Sequence, residues 1–213
     1  MRAGVDGPVD LLAQAEHLIA LGALTGILGA DEARAGARAL AGAAPGGSLL
    51  VVHPRLLAPS TLVGHLRLGD KPGFVVEDMS DVDDFAPTVE VPAAPLYALA
   101  APDRGDDLAN RSPEEAVPAL AARGRTPMLL TEGLIWAIQR PEVLERNHCY
   151  MTAGSRLRRP NGSFDARTPA LWIANGTGRD GAARRGAPKV GWCWWGNRHT
   201  WLGFASTTAR VAA

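Results

Sequence analysis

The sequence predicts a single α+β domain over residues 1–213, with helices and a βαβ unit in 1–148 and a Trp-rich antiparallel β region in 149–213. Three observations predict it. Residues 8–42 are rich in Ala and Leu and read as helical. Two short apolar runs, Leu49–Val52 and Phe74–Val76, flank a short helical segment. From Cys149 onward the pattern turns to strands separated by Gly-rich turns. A length of 213 residues is enough to bury one sizeable core. With 46% hydrophobic and 21% charged residues, wholesale disorder is excluded.

The first helical stretch breaks near Gly26–Gly29. Asp31 is expected to cap its second piece, with Glu32 in the first turn and Gly46 and Gly47 beyond the end. Leu49–His53, closed by Pro54, reads as a buried strand. Ser60 is placed to cap a short helix over 61–68. Phe74–Met79 then reads as a second strand, apolar on both faces. Strand, helix and strand together predict two parallel strands with a right-handed crossover.

Leu96–Leu99 suggests a third strand. Ser112, Pro113, Glu114 and Glu115 combine an N-cap, a first-turn Pro and two acids, so a helix starts there and ends by Gly124. Thr126 and Pro127 repeat the signal for a helix of 127–139. Strands are expected at 149–154, 170–174, 189–195 and 199–206, the last two forming a hairpin through Gly196 and Asn197.

The net charge is zero, but its distribution is uneven. Residues 1–150 carry 20 acids and 12 bases; residues 151–213 carry 2 acids and 10 bases. Either the two parts pair with each other or the basic part holds an anion. Arg156, Arg158 and Arg159 fall in one loop, and Arg179, Arg184, Arg185 and Lys189 in the next. Adjacency of the strands at 149–154 and 170–174 would put these loops at one end of the sheet, where Arg forks suit a substrate carboxylate or phosphate. A neutral pI and only two lysines argue against a nucleic-acid track. No apolar run is long enough to span a bilayer, and the first residues lack the apolar stretch of a signal peptide. Two cysteines make no disulfide framework, which points to a reduced, cytoplasmic protein.

Parallel strands would place His53 and Glu77 side by side at the carboxyl edge of the sheet, where open α/β sheets bind ligands. A carboxyl set among Phe74, Val75, Val76 and Met79 should have a raised pKa, suiting it to give and take a proton. The alternative is a plain ion pair with Arg55 or Arg67. His65 lies on the crossover helix, facing either the core or the same edge. Asp78 opens an acidic run, and Arg104 sits in an Asp-Arg-Gly-Asp segment fit for a salt-bridged clamp. Asn147 and His148 begin the β region; Asn197 and His199 lie at the expected hairpin tip. Four of six tryptophans fall at 192–201. Alternation puts Trp192 and Trp194 on one face, and Cys193 and Trp195 on the other. One face is core, and the other suits a flat aromatic ligand or a partner. A Cys193 nucleophile assisted by His148 or His199 is the hydrolase alternative. No metal-ligand spacing, Walker loop or dinucleotide fingerprint occurs, so neither metal nor cofactor is expected.

Several segments carry a family resemblance. They are Gly-Phe-Val-Val-Glu-Asp-Met-Ser-Asp-Val-Asp at 73–83, Asp-Arg-Gly-Asp at 103–106, Asn-Arg-Ser-Pro-Glu-Glu-Ala at 110–116 and Asn-His-Cys-Tyr-Met at 147–151. Gly-Trp-Cys-Trp-Trp-Gly-Asn-Arg-His-Thr-Trp-Leu-Gly at 191–203 completes the set. On these the chain resembles an actinobacterial family of proteins of about this length, labelled as a domain of unknown function.

The chain also resembles the bacterial Pictet–Spenglerases, homodimeric enzymes that form β-carbolines from tryptophan-type amines. That resemblance implies a cofactor-independent homodimer that joins such an amine to an aldehyde as an iminium and closes indole C2 onto it. It assigns general acid/base work to Glu77, with support from Arg55 and His65. His53 joins them from the sheet-edge reading. Asp78, Arg104, Asn147, His148, Trp194, Trp195, Asn197 and His199 are then expected to bind substrate. A binding or assembly module without catalysis, using the Trp segment as its ligand or partner surface, is the alternative.

Overall fold

The structure, a computed structural model, describes residues 10–213. Residues 8 and 9 of the expected first helix, and most of the stretch read for a leader, lie outside the described residues. The chain opens with helices α1 (Leu11–Ala20) and α2 (Ala30–Ala43), strand β1 (Leu49–Val52) and helix α3 (Pro59–His65). Short strands β2 (Arg67–Leu68), β3 (Lys71–Pro72), β4 (Phe74–Val75) and β5 (Phe85–Pro87) follow, then β6 (Leu96–Ala100), helix α4 (Pro113–Ala121), β7 (Thr126–Pro127) and helix α5 (Leu130–Gln139). The last part comprises β8 (Cys149–Met151), β9 (Ser155–Leu157), β10 (Arg167–Ile173), β11 (Pro188–Trp194), β12 (Leu202–Phe204), β13 (Ser206–Thr207) and β14 (Ala209–Val211). The α+β class stands.

Local chemistry explains the helices. Asp10 caps α1 by accepting from the Leu12 N–H at 3.0 Å. Ala33, Ala37 and Leu40 recur at helical spacing on α2 and are buried, and the two helices are tied outside by Arg34 and Glu16 at 2.7 Å. The expected Asp31 cap is instead a first-turn residue, with Gly29 at the N-cap. Ser112 and Glu115 form the capping box of α4. α5 starts at Leu130 rather than Pro127, because Thr126 and Pro127 pair with Thr207 and Ser206. Its entry is capped by the Glu132 carboxylate, which accepts from the Leu129 N–H at 2.7 Å.

The βαβ unit is not formed. β1 lies antiparallel to β6, with Leu49 opposite Leu99, in a three-stranded sheet of order β1-β6-β14. β4 belongs to a different, five-stranded sheet of order β12-β8-β10-β11-β4, where it runs parallel to β11. Residues 53–73 are long enough for a parallel crossover, but β1 takes β6 as its partner and β4 takes β11, in separate sheets. The expected strand Phe74–Met79 keeps only its first two residues in the ladder. The chain then turns at Val76 into a 3₁₀ turn, Glu77–Met79, which leaves Glu77 and Asp78 in solvent.

The Trp hairpin is also not formed. β11 and β12 are separated in their sheet by β10 and β8, and β12 runs parallel to β8. Residues 195–201 are a loop that crosses between them. β8 and β10 are adjacent, with Leu171 opposite Tyr150. The basic loops nevertheless sit at opposite ends of β10, since one enters that strand and the other leaves it.

The main core joins α1, α2, α3 and α5 to both sheets, through Leu50, Tyr97, Leu134, Tyr150 and Leu171 among others. The opposite face of the five-stranded sheet is covered in part by Leu108, Ala116 and Leu120, which meet Met151 and Phe204. The uneven charge is resolved largely by internal pairing. Arg167 reaches Asp81 at 2.6 Å, Arg179 reaches Asp78 at 3.1 Å, Arg198 grips Glu115, and Arg210 meets Glu132 at 2.7 Å. Among the described residues no helix is long and apolar enough to cross a membrane.

Candidate functional site

The uncovered part of that second face holds an indole-lined cavity of about 410 Å³. Alternation along β10 turns Leu171 and Ile173 to the core and Ala170 and Trp172 to this side. Gly191, opposite Ala170 in the ladder, lies diagonally beneath the Trp172 indole. A Cβ there would lie 2.5 Å from Trp172 Cη2, so only glycine leaves room for the indole. Trp201, Cys149 and Cys193 complete the apolar wall; Trp192 borders it, but its indole packs against the main core on the other face of the strand. His199 stacks on Trp201 with ring centroids 4.6 Å apart and planes at 17°.

Polar groups cluster at the cavity's mouth: Asn147, His148, Asn175 and His199. Asn147 holds a left-handed backbone, φ 61°, which costs most residues energy but is tolerated by Asn. The 195–201 loop that carries His199 and Trp201 is fastened to α4. Arg198 clasps Glu115, and the Glu114 N–H donates to the Trp195 carbonyl at 3.1 Å. Arg198, then the Ser112 N–H, holds the Glu115 carboxyl down at about 2.

Both thiols of the wall are poor nucleophiles. Burial, with Cys193 adding to it, pushes Cys149 up to about 12, and Cys149 Sγ donates to the Trp201 carbonyl at 3.6 Å. Burial also raises Cys193. A thiol raised in this way carries little thiolate near neutrality, which weighs against the hydrolase alternative.

Three of the expected site residues, Asn147, His148 and His199, thus meet in one cavity. The others are scattered. Glu77 is exposed on its turn, so the expected apolar burial is absent, and it does not stand beside His53. Asp78 accepts from Trp192 Nε1 at 3.3 Å and from Arg179. His53 and Arg55 lie together at a second cavity, beyond the end of β1. His65 is half-buried in the last turn of α3. Arg104 bonds Asp106 and the Val143 carbonyl, with its guanidinium 5.5 Å from the centre of the Tyr150 ring.

Trp194 is exposed and meets Trp192 edge-on at 4.4 Å. Trp195 lies under the buried Arg156 guanidinium at 3.8 Å. Asn197 is an exposed turn residue. The expected anion loops are largely spent: Arg158 lies over Phe164, Arg184 over Phe74, and Lys189 pairs with Asp180 at 2.7 Å. Trp172 and Asn175 were not singled out by sequence reasoning. The alternation of 170–174 about Leu171 and Ile173 is the signal that finds Trp172. Among the described residues, no group of three or more His, Cys, Asp or Glu is placed to hold a metal.

A family model described as Family of unknown function (DUF5701) matches residues 17–213, and the chain belongs to that family. No curated protein and no solved structure matches it.

Proposed function

We propose, starting from a family without an assigned activity, that this protein binds a flat heteroaromatic small molecule of the indole or β-carboline type. The carrying observation is the cavity itself: Trp172 and Trp201 around about 410 Å³, with Asn147, His148, Asn175 and His199 at the mouth. That volume falls in the ordinary range for small-molecule sites, and an apolar wall with a few convergent polar groups is their usual chemistry. The side chains of Asn147, His148 and Asn175 have no hydrogen-bond partner among the described residues, so they are free to meet a ligand's polar edge. Among the described residues no carboxylate lines the wall, and the cation against it, the Lys189 ammonium 4.8 Å from the centre of the Trp172 ring, is paired with Asp180.

Calorimetric titration with tryptamine, tryptophan and a tetrahydro-β-carboline tests this reading. Saturable heat that is lost in Trp172→Ala supports it; no heat from any of the three refutes it.

Cyclisation of a tryptophan-type amine with an aldehyde is the catalytic form of the same reading, and the indole-lined wall is what favours it. Such chemistry also needs a proton-transfer group beside the indole. Glu77 is outside the wall, and His148 and His199 are the imidazoles inside it. Incubation with tryptamine and an aldehyde should yield a tetrahydro-β-carboline by mass spectrometry if this form holds. Glu77→Gln and His199→Gln then separate the two candidate groups. The homodimer is part of this proposal and is read by sizing in solution. A reducing, cytoplasmic setting fits the two free thiols.

A further inference from the structure

The second cavity has its own chemistry and shares no residue with the first. It measures about 420 Å³ and opens where β1 ends, between Pro59 at the start of α3, the 83–91 segment and the first turn of α5. His53 is only 8% exposed. Its Nδ1 accepts the Arg55 backbone N–H at 3.1 Å, so the ring's proton is on Nε2. Burial, then the Arg55 charge, holds the ring below its ordinary pKa and keeps it neutral. Nε2 has no partner among the described residues, and the ring lines the cavity. It is a fixed, unspent donor.

Arg55 lines the same cavity, is exposed, and has no ion-pair or hydrogen-bond partner for its guanidinium among the described residues. Asp83, the wall's one carboxylate, is already spent on Ser60, whose N–H and hydroxyl donate to it at 2.8 and 2.6 Å. Ser155 Oγ accepts the Leu130 N–H at 2.9 Å, which leaves its proton for another acceptor. Phe85, Pro87, Val89 and Val91 make the remaining wall apolar.

We infer that this cavity is a second binding site, for a small monocarboxylate with an apolar body. One carboxylate oxygen accepts from His53 Nε2–H and the other from the Arg55 guanidinium, while the apolar body lies against Phe85, Pro87, Val89 and Val91. A single full positive charge beside Asp83 suits a monoanion and disfavours a phosphate dianion.

The test is titration of the full chain with hexanoate, read at the His53 ring nitrogens by two-dimensional NMR. A saturable shift of Nε2 is expected, with Nδ1 moving less. Loss of one charge-assisted hydrogen bond should weaken binding about tenfold in His53→Phe. Arg55→Ala, at an exposed position that spares the fold, should weaken it by a similar factor. Acetate, which lacks the apolar body, should bind more weakly than hexanoate. No saturable shift, unchanged affinity in Arg55→Ala, or tighter binding of inorganic phosphate than of hexanoate would overturn the inference. Hexanoate should leave indole binding at the Trp172 cavity unaltered, so the two proposals fail separately.

Discussion

The Trp172 indole lies directly over Gly191, with the position of a Cβ on residue 191 only 2.5 Å from Cη2. The ring therefore owes its place, and the cavity its floor, to a missing side chain. Gly191→Ala forces the indole to move in a strand with neighbours on both sides. Overpacking of this kind costs about 1–3 kcal/mol. The expected outcome is a folded protein of lowered Tm that has lost heteroaromatic binding, checked by thermal melts and calorimetry on the same sample.

His199 and Trp201 supply the stacked pair at the mouth. Truncating Trp201, which is 50% exposed and carries little of the core, should leave stability nearly unchanged. An aromatic contact is worth about 0.5–1.5 kcal/mol beyond its buried area, so Trp201→Ala should weaken ligand binding severalfold. Equal affinity in wild type and variant would remove Trp201 from the site.

Glu115 holds the 195–201 loop through Arg198, which holds its carboxyl down at about 2, below the ordinary glutamate value of about 4.3. The stabilising contribution of a depressed carboxyl is present above its unfolded pKa and is lost as pH falls through the folded one. Loop anchoring should thus persist to about pH 4.5 and fail progressively toward pH 2. The carbon-13 shift of the Glu115 carboxyl, followed on acidification, reads the midpoint directly. A midpoint at an ordinary carboxyl value would mean that the clasp does not form in solution.

Cys149 and Cys193 should resist iodoacetamide in the native state near pH 7.5, since burial raises both thiols. Labelling is expected only on unfolding. Rapid labelling of Cys193 in the folded protein would restore the nucleophile reading.

Deep in the fold, Arg210 meets both oxygens of Glu132, at 2.7 and 2.8 Å, while the Tyr97 hydroxyl donates to the same carboxylate at 2.7 Å. Glu132 is fully buried. This pair fastens β14 to the start of α5. Glu132→Gln leaves a nearly buried guanidinium without its counter-charge, a change that costs about 3–5 kcal/mol. A large drop in urea midpoint is expected, and a drop no larger than that of a surface substitution would contradict it.

Local signals were legible in the sequence, and pairings were not. Ser112 to Glu115 declared a helix start because cap, Pro and acids act within one turn. Leu49–Val52 read correctly as buried on both faces. The same apolar run gave no clue that its partner is Leu96–Ala100 rather than Phe74–Val76, since strand partners are fixed by the whole core. Glu77 misled for a related reason: its four apolar neighbours suggested burial, but the ladder ends at Val75 and the carboxyl turns out to water. The site fared in between. Asn147, His148, His199 and the Trp-rich segment were visible as unusual residues, whereas Trp172 acquired its role only once Gly191 was set opposite Ala170 in the ladder.

The central claim is that Trp172 and Trp201 enclose a heteroaromatic ligand, and the indole N–H signals of the six tryptophans test it most directly. On titration with a tetrahydro-β-carboline, the signals of Trp172 and Trp201 should shift saturably with one common affinity, while that of Trp136, buried in the main core, should stay in place. Absence of saturable shifts at the two cavity tryptophans, or a shift of Trp136 as large as theirs, would contradict the account.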